Sequence, residues 1–191
     1  KLKLEDASQR GEATNNSKLV LECPDTKCHL AAYNVVEVPI FSSGLESPNR
    51  ETIRTYLGQD VEGKGKRIRF SVTPLGFKGM ISEAGGALSF IQPITKVSNG
   101  QYLIYNRAAD LSRVKGFECR TEAEEITKSA NEQLENSDAN DQTLRTYRIA
   151  ISVTTQYTNF WDDGNNAYGD AKDDALAEVV STLKRSNEVY E

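Results

Sequence analysis

The chain has 191 residues, of which 38% are hydrophobic, and a formal net charge of -5. This length and composition suffice for one hydrophobic core, or for one core and part of another. The acidic balance argues against nucleic-acid binding, which needs basic residues gathered on one face. No stretch approaches the roughly 18 apolar residues of a membrane span, and residues 1–12 lack the apolar core of a signal peptide. The protein is therefore either cytoplasmic or a secreted protein whose signal was removed before this numbering begins.

Residues 1–17 are polar and punctuated by Gly11 and Asn15, which predicts a flexible lead-in. Strand-like segments then follow one another, joined by glycine-containing turns such as Glu83–Gly86 and Asn99-Gly100. These segments are Lys18–Glu22, Asn34–Ile40, Lys66–Val72, Phe77–Ser82, Ala87–Ile94 and Gln101–Asn106. Together they predict an antiparallel sheet within residues 18–120.

The segment Lys66–Val72 alternates most clearly in polarity. Its apolar positions are Ile68, Phe70 and Val72, and the intervening positions are Arg67, Arg69 and Ser71. Such alternation predicts a strand with one buried face and one face in water.

The cysteines give the only indication of the cellular compartment. Cys23 and Cys28 are close in sequence, whereas Cys119 stands alone. The close pair is a candidate disulfide of an exported protein, and two free thiols are the alternative. A zinc site is disfavoured because it needs a second Cys/His pair, and His29 is the only histidine.

Residues 121–143 are rich in Glu, Asp, Asn, Ser and Gln and contain few large apolar residues. Such a stretch cannot bury enough surface to offset its ordering entropy, which predicts a solvated acidic linker and a domain boundary. Lys128 and Arg145 lie in or beside it and are candidate sites of proteolytic processing.

A strand followed by a helix is predicted in residues 144–191. Residues Tyr147–Thr155 alternate in polarity, and Asp170 is the predicted N-cap of a helix with Asp173 and Asp174 in its first turn. The helix's predicted buried face consists of Leu176, Val179, Val180, Leu183, Asn187 and Tyr190. A strand and helix cannot bury both faces alone, so a further domain is expected to begin near Leu144 and to continue beyond Glu191.

The order of these segments resembles a known family. The segment Leu144–Trp161 and the final helix look like the first strand and first helix of reprolysin-like (adamalysin-type, metzincin) zinc metallopeptidases, in the form found in bacterial secreted enzymes. Upstream, a Tyr-x-Gly segment, a charged strand, a Thr-Pro-x-Gly-Phe turn and an Ile-x-Pro strand are similar to the pro-region of those enzymes. The positions that match this pattern are Tyr56, Gly58, Arg69, Thr73, Pro74, Gly76, Phe77, Ile91 and Pro93.

The resemblance implies an α+β chain, with a mainly antiparallel pro-domain, an acidic linker and the first strand and helix of an α/β catalytic domain. It implies a secreted enzyme whose pro-region keeps it latent and assists its folding. The family's His-Glu-x-x-His-x-x-Gly-x-x-His motif holds the zinc and is absent here, so peptide-bond hydrolysis would belong to a downstream zinc domain. The implied partners are that catalytic domain and the parent enzyme's protein or peptide substrates. No catalytic residue is carried over, and this chain alone is expected to bind no catalytic zinc and to be inactive.

Two further sites remain open. In many metallopeptidase zymogens a propeptide thiolate blocks the zinc, and Cys119 is placed for that role, although it could instead be buried or paired with Cys23 or Cys28. Asp162, Asp163 and Asp170 are candidate calcium ligands, but their spacing fits no EF-hand and a turn followed by an N-cap explains them better.

The alternative function is a non-enzymatic exported β-rich binding or adhesion module. In that case the last helix would cover the chain's own sheet, with Leu176, Val179 and Leu183 packed against Ile68, Phe70 and Phe90. Exposure of the helix's apolar face would instead favour the peptidase hypothesis.

Overall fold

The computed structural model describes residue 4 and residues 7–10, 19–24, 30–41, 51–106, 147–166 and 169–190. The chain divides into two compact units, one formed by Lys1–Ala108 with Val153–Glu191 and the other by Ala109–Ser152. All described helices and strands belong to the first unit. This unit has the α+β architecture that the sequence predicts.

Seven antiparallel strands form one sheet in which each strand pairs with the next along the chain. The strands are β1 (Leu19–Pro24), β2 (Leu30–Glu37), β3 (Arg54–Asp60), β4 (Arg67–Thr73), β5 (Gly76–Ser82), β6 (Leu88–Pro93) and β7 (Tyr102–Asn106). Six of them match predicted segments, whereas β3 is a strand that the polarity pattern did not identify. Strand β2 begins earlier than the predicted segment Asn34–Ile40 and ends before Pro39.

The main hydrophobic core lies on one face of this sheet. It contains Tyr33, Val35, Tyr56, Ile68, Phe70, Ile81 and Ile91, joined by Ala7 from the beginning of the chain. Tyr56 stacks on Phe70, and Phe70 stacks on Phe77. The apolar side of the alternating β4 pattern is therefore buried, as predicted.

The opposite face of β4 departs from the prediction. Arg69 and Ser71 were expected in water, yet their exposed fractions are 0% and 1%. They are buried because the last helix packs on β4 and β5 and both side chains bond to it. The sheet is thus covered on both faces around β4.

Two helices follow residue 147. Helix α1 (Thr155–Trp161) begins after Thr154, whose hydroxyl accepts a hydrogen bond from the backbone N–H of Tyr157. Helix α2 (Ala171–Tyr190) begins after Asp170, whose carboxylate accepts hydrogen bonds from the backbone N–H groups of Lys172 and Asp173. The helix and the predicted N-cap are confirmed. Neither helix combines the length and apolar composition that crossing a bilayer requires.

The buried face of α2 differs from the predicted stripe. Its most deeply buried residues are Ala175, Ala177, Glu178, Val180, Ser181, Lys184 and Glu188. Leu176, Val179 and Leu183 are half-buried, and Asn187 is exposed. Among the predicted residues whose side chains the structure describes, Val180 alone is almost completely buried. The helix covers the Arg69 face of β4 rather than Ile68 and Phe70.

The predicted strand Tyr147–Thr155 is wrong. Residues 147–154 form neither helix nor strand, and helix α1 already begins at Thr155. Tyr147 and Ile149 are 81% and 67% exposed. An alternating pattern makes a strand only where another strand pairs with it, and the described residues pair none with this segment.

The described residues cover only part of the predicted domains. The acidic linker at residues 121–143 lies outside the described residues, as do residues 107–120. The lead-in is described only at residues 4 and 7–10, where Gln9 forms an isolated bridge with Glu37. The origin of residues 144–191 in a second, catalytic domain stays a prediction.

Gly58 provides a test of the packing between β2, β3 and β4. A Cβ atom there would lie 2.6 Å from Ile68 Cγ2 and 3.0 Å from Tyr33 Cβ, inside the main core. We expect Gly58→Ala to reduce the free energy of unfolding by about 1–3 kcal/mol, the usual cost of overpacking a core. Urea denaturation followed by circular dichroism measures this change.

Gly85→Ala is the matched control, because nothing lies within 4 Å of a Cβ at this turn position. An equal effect of both substitutions would contradict the close contact at Gly58.

Candidate functional site

The side chain of Glu188 on α2 joins the helix to the sheet through several polar contacts. Its carboxylate accepts a hydrogen bond from Arg69 Nε at 2.6 Å and one from Ser82 Oγ at 2.5 Å. Arg67 Nη2 lies 2.7 Å from the same carboxylate. The Arg69 and Glu188 side chains are only 0% and 1% exposed, so this ion pair is removed from water.

A second buried ion pair joins Lys78 on β5 to Glu178 on α2. Arg185 Nη2 lies 3.7 Å from the other oxygen of the Glu178 carboxylate. The ammonium of Lys78 also lies 4.6 Å from the ring centroid of Trp161, at the end of α1. Lys78 thus contacts both helices, and Trp161 reports on their docking.

Between the two glutamates of α2, the helix contacts the sheet through small polar side chains. The hydroxyl oxygens of Ser71 and Ser181 are 2.8 Å apart. Beyond them a minor apolar cluster joins Ile53 and Leu75 to Ala177 and Val180. Arg69 precedes Ser71 on β4, whereas its partner Glu188 follows Ser181 on α2. Helix α2 therefore runs antiparallel to β4.

These residues define the charged face, which we take as Arg67, Arg69, Ser71, Lys78 and Ser82 on β4 and β5. Register explains how it forms, because Arg67 lies opposite Ser82 and Ser71 lies opposite Lys78. All five side chains consequently project from one side of the sheet. The arrangement presents three cations and two hydroxyl groups, which is suited to binding carboxylates.

Three of the positions that carry the family resemblance, Thr73, Gly76 and Pro93, lie close together. Thr73 Oγ1 donates a hydrogen bond to the carbonyl oxygen of Gly76, closing the turn between β4 and β5. Gly76 has a φ of 117°, which favours glycine, and a Cβ there would lie 3.2 Å from Pro93 Cγ. The turn and the end of β6 are therefore in direct contact. A further position of the resemblance, Arg69, contacts Glu188.

The aspartates near the beginning of α2 form a separate cluster. Carboxylate oxygens of Asp162, Asp163 and Asp174 lie within 4.8 Å of one another. Asp170, the third predicted calcium ligand, instead caps α2. A group of carboxylates alone suits a hard cation such as calcium rather than the histidine-bound zinc of a peptidase.

The pKa of the Asp174 carboxyl in this cluster is shifted by its surroundings. Burial raises the pKa of the Asp174 carboxyl, and the nearby carboxylates of Asp163, Asp162 and Asp173 add to the increase. The backbone N–H of Asp163 donates a hydrogen bond to Asp174 Oδ2 at 3.0 Å and partly opposes it. The ionised form of Asp174 is therefore less favoured in the folded protein than in the unfolded chain.

Four of the eight site residues predicted from the sequence lie outside the described residues. These are the thiolate candidate Cys119, the processing candidates Lys128 and Arg145, and Cys28; Cys23 lies on β1, where only the backbone is described. The sequence analysis did not identify Glu178, Glu188 or Lys78. The only local signal was the unusual alternation of arginines with apolar residues in β4.

No protein-family model, curated protein or solved structure matches this chain. The family resemblance described above therefore rests on the residues themselves.

Substitution of Glu188 tests the buried ion pair. Glu188→Gln keeps the shape of the side chain but leaves the Arg69 guanidinium buried without a carboxylate. We expect this to reduce the free energy of α2 docking by about 3–5 kcal/mol, as for other broken buried pairs. Fluorescence of Trp161, the chain's single tryptophan, during urea titration measures the loss.

The control is Glu62→Gln, because Glu62 pairs with Lys64 on the surface and its side chain is 63% exposed. Its expected effect is at most about 1 kcal/mol. Equal effects of the two substitutions would mean that Glu188 is hydrated.

Substitution of Asp174 tests the raised pKa. The folded protein binds the Asp174 proton more tightly than the unfolded chain, so its stability increases as pH falls through the raised pKa. Asp174→Asn removes the ionised form and should raise the melting temperature near neutral pH. It should also remove this increase in stability on the acid side of neutrality, as measured by thermal unfolding across pH.

Asp170→Asn is the control, because asparagine caps helices about as well as aspartate and Asp170 is exposed. A lower melting temperature of Asp174→Asn at neutral pH would contradict the raised pKa.

Proposed function

We propose that this chain is the N-terminal, pro-region part of a secreted zinc-dependent endopeptidase. The pro-region keeps the protease latent and assists its folding, and peptide-bond hydrolysis belongs to a downstream zinc domain. The single observation that carries the proposal is the contact of Arg69 with Glu188. It joins a position of the pro-region resemblance to the helix that resembles the first helix of the catalytic domain.

The charged face supports a role in folding. Most of the stability of a helix in a protein comes from tertiary packing rather than from helix propensity, so α2 depends on its contacts with the sheet. The cations of β4 and β5 fix its position through Glu178 and Glu188. A sheet that binds the first catalytic helix in this way would provide a template for the domain that follows.

Latency is assigned to a different part of the chain. A thiolate at Cys119 would occupy the open position of a downstream zinc, and cleavage at Lys128 or Arg145 would release it. In the described residues, the acidic cluster is the candidate metal-binding group, and it does not fit zinc. We therefore derive no hydrolytic step from the residues of this chain.

A second candidate function is an exported binding or adhesion module without enzymatic activity. The observation that favours it is the burial of α2 on the sheet of the same chain, within one compact unit. A helix that is covered in this way does not need a downstream domain to bury that face. The two hypotheses differ in whether the reading frame encodes a zinc peptidase.

The test uses the product of the complete reading frame that contains this chain, incubated with casein. We expect no hydrolysis before limited trypsin treatment, and hydrolysis that 1,10-phenanthroline abolishes afterwards. The double substitution Lys128→Ala/Arg145→Ala should delay activation, and Cys119→Ala should give activity without cleavage. In the proposed mechanism Cys119 holds the zinc, whereas Ser17 has no role. Ser17→Ala is therefore the control.

A product without peptidase activity under any of these conditions would refute the proposal and favour the binding module. Activity that is unaffected by both cleavage and Cys119→Ala would refute latency.

A further inference from the structure

Helix α2 contacts the sheet through the less apolar of its surfaces. Leu176, Val179 and Leu183 are half-buried, whereas Glu178, Ser181 and Glu188 are almost completely buried against the charged face. A helix that served only to cover a sheet would be expected to bury its apolar stripe. The contact instead pairs carboxylates with cations, which is how proteins recognise a specific charged ligand.

Release of α2 would leave the main core covered as before. That core, with Tyr33, Ile68 and Phe70, lies on the other face of the sheet. On the helix-covered face, the minor cluster around Ile53 and Leu75 would lose its cover. The buried Leu57 and Met80 lie on this same face, opposite Arg69 on the neighbouring strands. The surfaces that separate would carry charged and hydroxyl groups, which water solvates well, in contrast to two apolar faces.

We propose that the charged face is a recognition surface for acidic amphipathic helices, and that α2 is its resident intramolecular ligand. The partner that fits is a helix from another protein with two glutamates about three turns apart. Between them, on the same surface, it would carry a small residue at the position of Ser181 and a lysine at the position of Lys184. Arg67 and Arg69 bind one glutamate, Lys78 binds the other, and Ser71 accommodates a small side chain between them. The inference concerns binding and does not depend on peptidase activity.

Competition by the resident helix determines when the surface is available. A ligand on the same chain acts at an effective concentration in the mM range, so a partner binds weakly while α2 is docked. Weakening the docking of α2 should therefore increase binding of an added helix. Locking α2 in place should abolish it.

The probe is a fluorescently labelled synthetic peptide with the sequence of residues 169–191. Binding to the full chain is measured by fluorescence anisotropy. We expect the Glu188→Gln chain to bind the peptide about tenfold or more tightly than wild type, because its own helix competes less. A peptide carrying Glu178→Gln and Glu188→Gln is the matched control and should not bind.

The lock is the double substitution Ser71→Cys/Ser181→Cys, since the two serine oxygens are 2.8 Å apart. A disulfide between these positions would hold α2 on the sheet. The oxidised chain should not bind the peptide, whereas the reduced chain should bind it as wild type does. Peptide mapping verifies the disulfide, and wild type under the same oxidising and reducing conditions controls for the native cysteines.

Equal binding to oxidised and reduced chains, or equal binding of the two peptides, would overturn the proposal. Circular dichroism and amide hydrogen exchange of β3 to β5 establish that the sheet of Glu188→Gln remains folded. If that substitution unfolds the sheet, the comparison of oxidised and reduced chains decides, because both retain every ion pair. Absence of binding to the reduced chain at mM peptide would then refute the inference.

Discussion

The buried pair of Arg69 and Glu188 is the interaction on which the rest of the helix–sheet contact depends. Removing two charges from water is costly, and their attraction offsets the cost only when geometry and hydrogen bonding are good. Here Arg67 and Ser82 also contact the glutamate carboxylate. The consequence is a contact that tolerates little displacement of α2 along β4.

This constraint explains why the two faces of the sheet differ. On one face, aromatic and aliphatic side chains from neighbouring strands form a continuous core that needs no exact charge placement. On the other face, the helix position is set by two carboxylates and a pair of serines. The first face supplies most of the apolar burial, and the second specifies which helix surface is bound and in which direction.

Local patterns predicted much of the sheet and little of the site. The hairpin between β5 and β6 could be predicted because Gly85 and Gly86 mark a turn between two apolar segments, and Gly86 adopts a φ of 81°. The strand β3 was missed because Arg54–Asp60 does not alternate clearly, although Leu57 is buried on one face and Tyr56 on the other. Its two-sided burial comes from tertiary packing, which a local pattern does not contain.

The error at β4 has the same origin. Arginine at alternate positions usually indicates a face in water, and only a partner elsewhere in the chain can reverse this. That partner, Glu188, is 119 residues away from Arg69. The opposite error occurred at Ile149 and Ile151, where an alternating pattern predicted a strand but no strand pairs with it in the described structure.

The polar nature of the helix contact also limits the alternatives available to α2. A shift by one residue would rotate the helix by about 100°, moving Glu188 away from Arg69 and putting Asn187 or Val189 at its position in the sequence register. Such a register would leave buried cations without carboxylates, which costs several kcal/mol. An apolar contact would distinguish these registers less sharply, because aliphatic side chains can replace one another at small cost. The charges therefore contribute more to the specificity of docking than to its strength, which is the property expected of a surface that recognises one kind of helix.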